Sequence, residues 1–503
     1  MATAIRRNAW VVTAAVLSLV VTVQQFRDSD VWWHLAMGRY IVAHGIPAQE
    51  PFSFLHAANP WIGQQWLYEV TLARLVAFGG PGLASLLMGM VASGALLVAM
   101  LSLRRDRRPG GPWMAAALLL CTLIAAELLG VRGQVISLFG AAVVLYVVSR
   151  WRSGSHGWPY LLPPLFALWA NLHAGFIIGL GIGVVALVFV DGVDRRARVR
   201  LGTFLALAAA ATLLNPAGPS LWGYVAATFT NPTLTGAVTE WQSPDFHSTW
   251  LRLFELGAIL LVTAWLLAPR RDRFDLVLAA LVFAASLQAQ RNVSLFALVA
   301  APQLAHYGAD AWAAHGHRLR RRPDRRVTTG VRRRWAAPPS WFAPLGAVIV
   351  VVATAVAVVP QLSRSTTVGF EAAHEPLAAA DYVATHLAGQ RLYSPDTWAG
   401  YLAERFPTGR VVYLYDETAI FGQAALQRYL DVHNLSAGWP QLFTTGGVGT
   451  AVLPADGQEV SALLSIGWRV DCRDPASQSV VMSAGAGTAS TSASQVTSAP
   501  ACA

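Results

Sequence analysis

A chain of 503 residues that is 55% hydrophobic and only 13% charged is too apolar for an ordinary soluble enzyme. Its formal charge of +10 comes from 37 basic residues, all of them arginine. These sit in short clusters between apolar runs, which argues against nucleic acid as the partner and for a multi-pass membrane protein.

The first apolar run, 9–26, follows Arg6 and Arg7. No small-x-small cleavage pattern comes after it, so it is read as a retained transmembrane helix and not as a signal peptide. The stretch "FRDSDVWWHLAMGRYIVAHG", 26–45, then falls at a membrane boundary. Asp28 or Asp30 is expected to cap a helix, because a carboxylate there accepts backbone N–H groups and favours the positive end of the helix dipole. Asp30 and His34, four apart, share one helical face; Trp32 and Trp33 are expected as an interfacial anchor turned toward lipid. A second interfacial helix is predicted within 60–80, with Glu69 on its solvated face.

Further apolar runs lie at 82–103, 112–131, 134–150, 160–172, 175–193, 201–216, 251–269, 274–289, 292–307 and 342–362, giving eleven candidate spans in all. Several are shorter than the ~20 residues of an ordinary crossing. Charge decides whether the pairs within 112–150, 160–193 and 274–307 are hairpins. With hairpins and a cytoplasmic N-terminus, 24 arginines fall in six cytoplasmic segments and seven on the other side of the membrane region, as the positive-inside rule requires. The hairpin tips "GVRGQ", "WANLHAG" and "QAQRN" then share the outer face and bring Arg132, Gln134, Asn171, His173 and Arg291 there. The connection 216–250 adds Asn215 at its start, then Glu240, Gln242, Asp245 and His247. Glu127 is a possible structural partner for Arg132.

Beyond 362 amphipathic stretches alternate with short strand-like runs, so 363–482 reads as a small α/β soluble domain placed outside by the odd span count. Residues 483–503 are low in complexity and are expected to be disordered. Cys121 lies in an apolar run; Cys472 and Cys502 are free to pair if the C-terminus is extracytoplasmic. The fold class is therefore an α-helical polytopic membrane domain, 1–362, followed by 363–482 and the tail.

Polar groups concentrated on one side of the membrane suit neither a pore nor a transporter with polar mid-depth helices. They suit an enzyme that takes a lipid-linked substrate, with carboxylates as base or cation ligand and Arg and His against a phosphate. A lipid or glycan translocase and a non-catalytic envelope scaffold are the competing classes.

The pieces "DSDVWWHLAMGRYIVAHGIPAQEPFSF", "PWIGQQWLYEV", "VRGQVISLFG", "LWANLHAGFIIGL", "LLNPAG", "EWQSPDF", "QRNVSLFALVAAP" and "RLYSPDTWAGYLAERF" together resemble bacterial GT-C-type membrane glycosyltransferases, in order and over most of the chain. The resemblance departs at Gly133, where the family pattern has proline. It implies a GT-C-like bundle with two juxtamembrane helices in the first external loop, at 31–44 and 64–79, and transfer of a sugar from a polyprenyl-phosphate-linked donor to a lipid, glycan or protein acceptor. It implies Asp30 as catalytic carboxylate, Asp28 in support and His34 beside them. Arg132, Gln134, Asn171, His173, Asn215, Glu240, Gln242, Asp245, His247 and Arg291 are then candidates for donor-phosphate or substrate binding. A divalent cation, Mg2+ or Mn2+, held by Asp28, Asp30 and Asp245, and a metal-free base both stay open. The implied location is the plasma (inner) membrane, with a cytoplasmic N-terminus and an extracytoplasmic C-terminal domain.

Overall fold

The computed structural model describes residues 2–26, 28–55, 60–103, 109–230, 236, 238–320, 374–407, 411–417, 420–485, 496 and 498–502. The apolar run 342–362 of the sequence reading lies outside them. Contacts divide the chain into two units, one of 1–24, 85–214 and 240–361, the other of 25–84, 215–239 and 362–503.

The first unit is helical. Its elements are α1 (Ala2–Thr22), the later part of α3 (Trp66–Leu101), α4 (Gly111–Ala125), α5 (Gly133–Arg152), α6 (Leu162–Leu172), α7 (Phe176–Phe189), α8 (Arg195–Ala211), α10 (Thr249–Leu267), α11 (Arg273–Gln288) and α12 (Val293–Arg320). Helix α4 packs on both α1 and α12, α6 on α8, and α5 on α7. Small polar groups join them without exposing a charge: Ser18 Oγ lies 2.9 Å from Thr122 Oγ1, and the Thr22 hydroxyl donates to the Gly89 carbonyl at 2.9 Å. The chain leaves the helix at each expected hairpin tip, after Leu128, after Leu172 and after Gln288. These breaks leave the count of eleven spans unconfirmed. Ten of the eleven apolar runs coincide with described helices, but only five helices among the described residues are long and apolar enough to cross a membrane. Stopping at the tips leaves α6 with 11 residues and α7 with 14, short of the ~20 that a full crossing takes.

The second unit holds α2 (Asp30–His44), the start of α3, α9 (Ser220–Thr230) and the C-terminal α/β elements. Helix α3 is interrupted at Gly79 and Gly80 just before Pro81; Gly80 has φ +71°, a left-handed conformation that glycine adopts without a Cβ clash. The interruption separates the predicted second juxtamembrane helix from the apolar run that follows. Helices α13 (Leu377–His386), α14 (Asp396–Arg405), α15 (Gly422–His433), α16 (Gln441–Thr444) and α17 (Gln458–Ser465) accompany a sheet of β1 (Leu392–Tyr393), β2 (Thr450–Pro454), β3 (Trp468–Asp474) and β4 (Ser479–Ala484). Strand order is β1-β2-β4-β3, with β1 parallel to β2 and the other pairs antiparallel. The first loop joins this domain through its backbone: Ser53 bridges Val412 in parallel, and the Phe54 N–H donates to the Val412 carbonyl at 3.1 Å.

Of the residues assigned above to the tail, 483 and 484 complete β4, and 500–502 lie beside β3. There the Arg473 N–H donates to Pro500 O and the Cys502 N–H to Arg473 O, at 2.8 and 2.9 Å. A Cys472–Cys502 disulfide closes this pairing across a separation of 30 residues. A loop of that length restricts the unfolded chain enough that Cys502→Ser is expected to destabilise the C-terminal domain by roughly 3 kcal/mol. Chemical denaturation of the oxidised protein and the variant, followed by tryptophan fluorescence, checks this.

Candidate functional site

The polar groups of the second unit gather around the start of α2. Asp28 Oδ1 accepts the Asp30 N–H at 3.1 Å, so the capping role expected for one aspartate falls to Asp28. Asp30 opens the helix, and its Oδ1 accepts the Trp33 indole N–H at 3.1 Å. The Trp33 ring lies on His34 with centroids 3.6 Å apart and meets Trp61 at 6.3 Å and Tyr415 at 5.7 Å. Trp32 donates its indole N–H to Glu375 Oε1 at 2.7 Å and packs edge-on against Tyr401 at 5.2 Å. Both tryptophans are buried, at 7% and 2% exposure, so the expectation of a lipid-facing anchor is corrected: distant residues of the same unit cover them. Helix α14 covers α2 closely, since a Cβ at Gly400 would lie 3.2 Å from the Ser29 carbonyl oxygen, and Arg39 pairs with Glu404.

Glu69, expected on a solvated face, is instead fully buried, with its Oε1 3.5 Å from His34 Nδ1. The two helices touch because position 38 has no side chain: a Cβ on Gly38 would stand 2.0 Å from the Glu69 carbonyl oxygen. His34 therefore turns to Glu69 and the Trp33 ring.

Two carboxyl groups that the sequence reading did not single out complete this cluster. Asp416 accepts a hydrogen bond from the Ser29 hydroxyl; burial, and then the charges of Asp30 and Asp396, push it well above the usual carboxylate range. Glu417 accepts from the Tyr224 hydroxyl at 2.7 Å and from Gln64 Nε2 at 3.2 Å. Burial pushes Glu417 up to about 7, the Tyr224 bond opposes the rise and the Asp30 charge adds to it. The adjacent acid pair ending the apolar run "VVYLY" was the available signal, since two acids closing a strand-like run have no packing reason to be there. Asn215 belongs to this unit; its Oδ1 accepts the Ala217 N–H at 2.8 Å and its Nδ2 reaches toward the Gly63 carbonyl.

In the first unit the hairpin tips meet the turn Thr239–Trp241. Arg132, at the start of α5, pairs with Glu240, whose other oxygen accepts from Gln134 Nε2 at 3.4 Å. The Arg291 guanidinium lies 4.4 Å from the centre of the Trp241 ring, and the Gln290 N–H donates to Gln242 O at 2.9 Å. Burial alone raises the Glu240 carboxyl, but Arg132, Arg291 and the Gln134 bond outweigh it and hold it below its ordinary range. His173 Nδ1 accepts the Gly175 N–H at 3.0 Å and lies 2.7 Å from Ser137 Oγ, which in turn accepts the Trp169 indole N–H at 2.8 Å. The positive charges of Arg291 and Arg132 bear on His173. Five of the ten predicted binding residues, Arg132, Gln134, His173, Glu240 and Arg291, thus come together, with two arginines against one carboxylate. Asn171 donates to the Ala167 carbonyl one turn back in α6. Asp245 and His247 bond to each other at 2.8 Å, with side chains 71% and 97% exposed.

A divalent cation needs several oxygen or nitrogen donors converging on one point. Among the described residues no group of three or more His, Cys, Asp or Glu side chains does so.

No family model and no curated protein sequence matches the chain. The archaeal oligosaccharyltransferase AglB from Archaeoglobus fulgidus, in complex with an inhibitory peptide and a dolichol-phosphate, superposes with a TM-score of 0.53 at 13% identity, over 91% of this chain and 70% of its own. The oligosaccharyltransferase of Archaeoglobus fulgidus tethered with an acceptor peptide containing the NVT sequon gives 0.50 at 13% identity, with 91% and 70% covered. ArnT from Cupriavidus metallidurans bound to undecaprenyl phosphate gives 0.47 at 16% identity, with 96% and 98% covered. With apolar helices of crossing length and an architecture shared over nine-tenths of its length with a solved oligosaccharyltransferase, the chain has the fold of the GT-C-type membrane glycosyltransferases.

Proposed function

We propose that the protein transfers a sugar from a polyprenyl-phosphate-linked donor to an acceptor hydroxyl or amide at the extracytoplasmic face of the plasma membrane. The observation that carries this reading is the cluster at the start of α2, where Asp30 is fixed by the Trp33 indole within a set of buried carboxyl groups, in a chain of GT-C fold. Asp30 takes the acceptor proton as the acceptor attacks the anomeric carbon; the bond from that carbon to the phosphate oxygen breaks, and the polyprenyl phosphate leaves as an anion. In the first unit, taken by itself, Arg132 and Arg291 are by their chemistry candidates for binding a phosphate, with His173 and Gln134 as hydrogen-bonding neighbours. Asp28 holds the backbone of Asp30, and Asn215, Gln242, Asp245 and His247 remain candidates for contacts with the acceptor. The Cys472–Cys502 disulfide supports an extracytoplasmic C-terminal domain, because such bonds persist in oxidising compartments.

The test is donor consumption by the purified protein in nanodiscs, using radiolabelled polyprenyl-phosphate sugars with an envelope extract as the source of acceptor. Label is expected to leave the lipid, and Arg132→Gln is expected to slow its loss roughly a hundredfold. Label that stays on the lipid for every sugar tried, together with protein-dependent movement of the lipid between leaflets of sealed vesicles, would instead identify a translocase.

A further inference from the structure

We propose that Glu240 makes the Arg132–Arg291 site selective for charge. The site holds the singly charged phosphodiester of a lipid-linked sugar and releases the phosphomonoester that transfer leaves behind; this rests on the glycosyl-transfer reading above. The geometry lies within the first unit. Arg132 pairs with Glu240, and Gln134 Nε2 donates to the other Glu240 oxygen at 3.4 Å. The Arg291 guanidinium lies 4.4 Å from the ring centre of Trp241, the next residue in the chain, and its charge bears on Glu240 as well. The side chains of Arg132 and Glu240 are 13% and 25% exposed, so water screens their charges only in part. Neither Glu240 nor Trp241 is fully buried, which leaves the carboxylate open to an arriving anion.

Two guanidinium groups and one carboxylate leave one positive charge. His173 adds none, because its Nδ1 accepts the Gly175 N–H at 3.0 Å and so carries no proton. A polyprenyl-phosphate sugar is a phosphodiester with a single negative charge, which neutralises the site. When the acceptor attacks, the bond from the anomeric carbon to the phosphate oxygen breaks and its electron pair stays on that oxygen. The polyprenyl phosphate then carries a charge of about −1.5 to −2 at pH 7. Two arginines alone would bind this product more tightly than the donor and would stay occupied by it. With Glu240 beside them the product brings more negative charge than the site can match. Repulsion from the carboxylate, which also competes for Arg132, then favours departure.

The probes are farnesyl phosphate, a short polyprenyl phosphomonoester, and its methyl ester, the matching diester. Each is titrated against the detergent-solubilised protein by thermophoresis. The wild-type protein is expected to bind the two with similar affinity. Glu240→Gln is expected to bind the monoester roughly tenfold more tightly and to change the diester far less. Glu240→Asp, which keeps the charge, is expected to restore the parent's preference. In an Arg132→Gln background the gain from Glu240→Gln is expected to vanish, because the carboxylate acts through that pair. Inorganic phosphate is expected to displace farnesyl phosphate poorly; displacement at equal concentration would give the site to free phosphate and overturn the lipid assignment. With the radiolabelled polyprenyl-phosphate sugars, Glu240→Gln is expected to lower KM and kcat together. Added polyprenyl phosphate then inhibits roughly tenfold more strongly, the signature of slower product release. A wild-type protein that already prefers the monoester by roughly tenfold overturns the proposal without any variant having to fold. So does a folded Glu240→Gln whose preference matches the parent's, and if that variant comes from a protein that consumes donor, glycosyl transfer stands alone. Charge selection that depends on Glu240 in a protein that consumes no donor would keep the selectivity and remove glycosyl transfer.

Discussion

Asp30→Asn is expected to lower transfer from the lipid-linked donor by about a thousandfold while leaving the amount of folded protein in the membrane unchanged. The asparagine amide oxygen still accepts the Trp33 indole N–H that now reaches Asp30 Oδ1, so the packing of Trp33 on His34, Trp61 and Tyr415 has no reason to change. What the substitution removes is the ability to take a proton. Initial rates of label release, measured beside the thermal transition of the same preparation, separate the two effects. A variant with a normal transition and full rate would remove Asp30 from the site. Asp28→Asn, which keeps an oxygen for the Asp30 backbone N–H, is expected to cost far less, since Asp28 acts by shaping the turn.

Among the described glycines of the second unit, Gly38 is where an added methyl group would come nearest a backbone atom, and Gly38→Ala is expected to be strongly destabilising. The added carbon would stand 2.0 Å from the Glu69 carbonyl oxygen and 3.0 Å from the Ala73 Cβ, and a backbone atom in a helix cannot rotate aside. Helix α2 would have to move away from α3 and uncover the buried His34–Glu69 contact. A loss of about 3 kcal/mol in stability is expected, together with loss of transfer, because Asp30 rides on the same helix. Thermal unfolding in detergent measures the first. A variant as stable as the parent would show that the two helices are not held at this distance.

Much of this arrangement is legible in the sequence because it is local. The juxtamembrane helix expected at 31–44 is found at Asp30–His44, and the second, expected at 64–79, runs from Trp66 to the interruption at Gly79 and Gly80. The Gly-Gly-Pro run carries that boundary in the chain itself. The helix breaks at the three tips are equally local, and placing the tips on one face brought Arg132, His173 and Arg291 to consideration before any contact was known. What the sequence does not reveal is cover. A helix shows which of its side chains share a face but not what lies against that face, so Trp32 and Trp33 read as lipid-facing until Glu375, Tyr401 and Tyr415 are seen against them. Glu69 misled in the same way, because a carboxylate on an amphipathic helix ordinarily faces water. The acid pair at 416–417 escaped notice because its partners Ser29, Gln64 and Tyr224 come from three segments far away in sequence.

The composition of the second unit also constrains topology. On the extracytoplasmic placement proposed above for the C-terminal domain, a compact body stitched from 25–84, 215–239 and 362–503 has all its pieces on one face of the bilayer. Every excursion the chain makes between two of these pieces must therefore return to the face it left, and the number of crossings in 85–214 and in 240–361 must each be even. The apolar runs that the sequence places in those intervals, six and four, are even in number, the last of them lying outside the described residues. An insertion or deletion of one crossing in either interval would tear the unit apart, whereas adding or removing a pair would leave it whole. The interleaving of the chain thus acts as a parity check on membrane insertion, and a reporter fused after residue 84 and another after residue 239 should always be found on the same side.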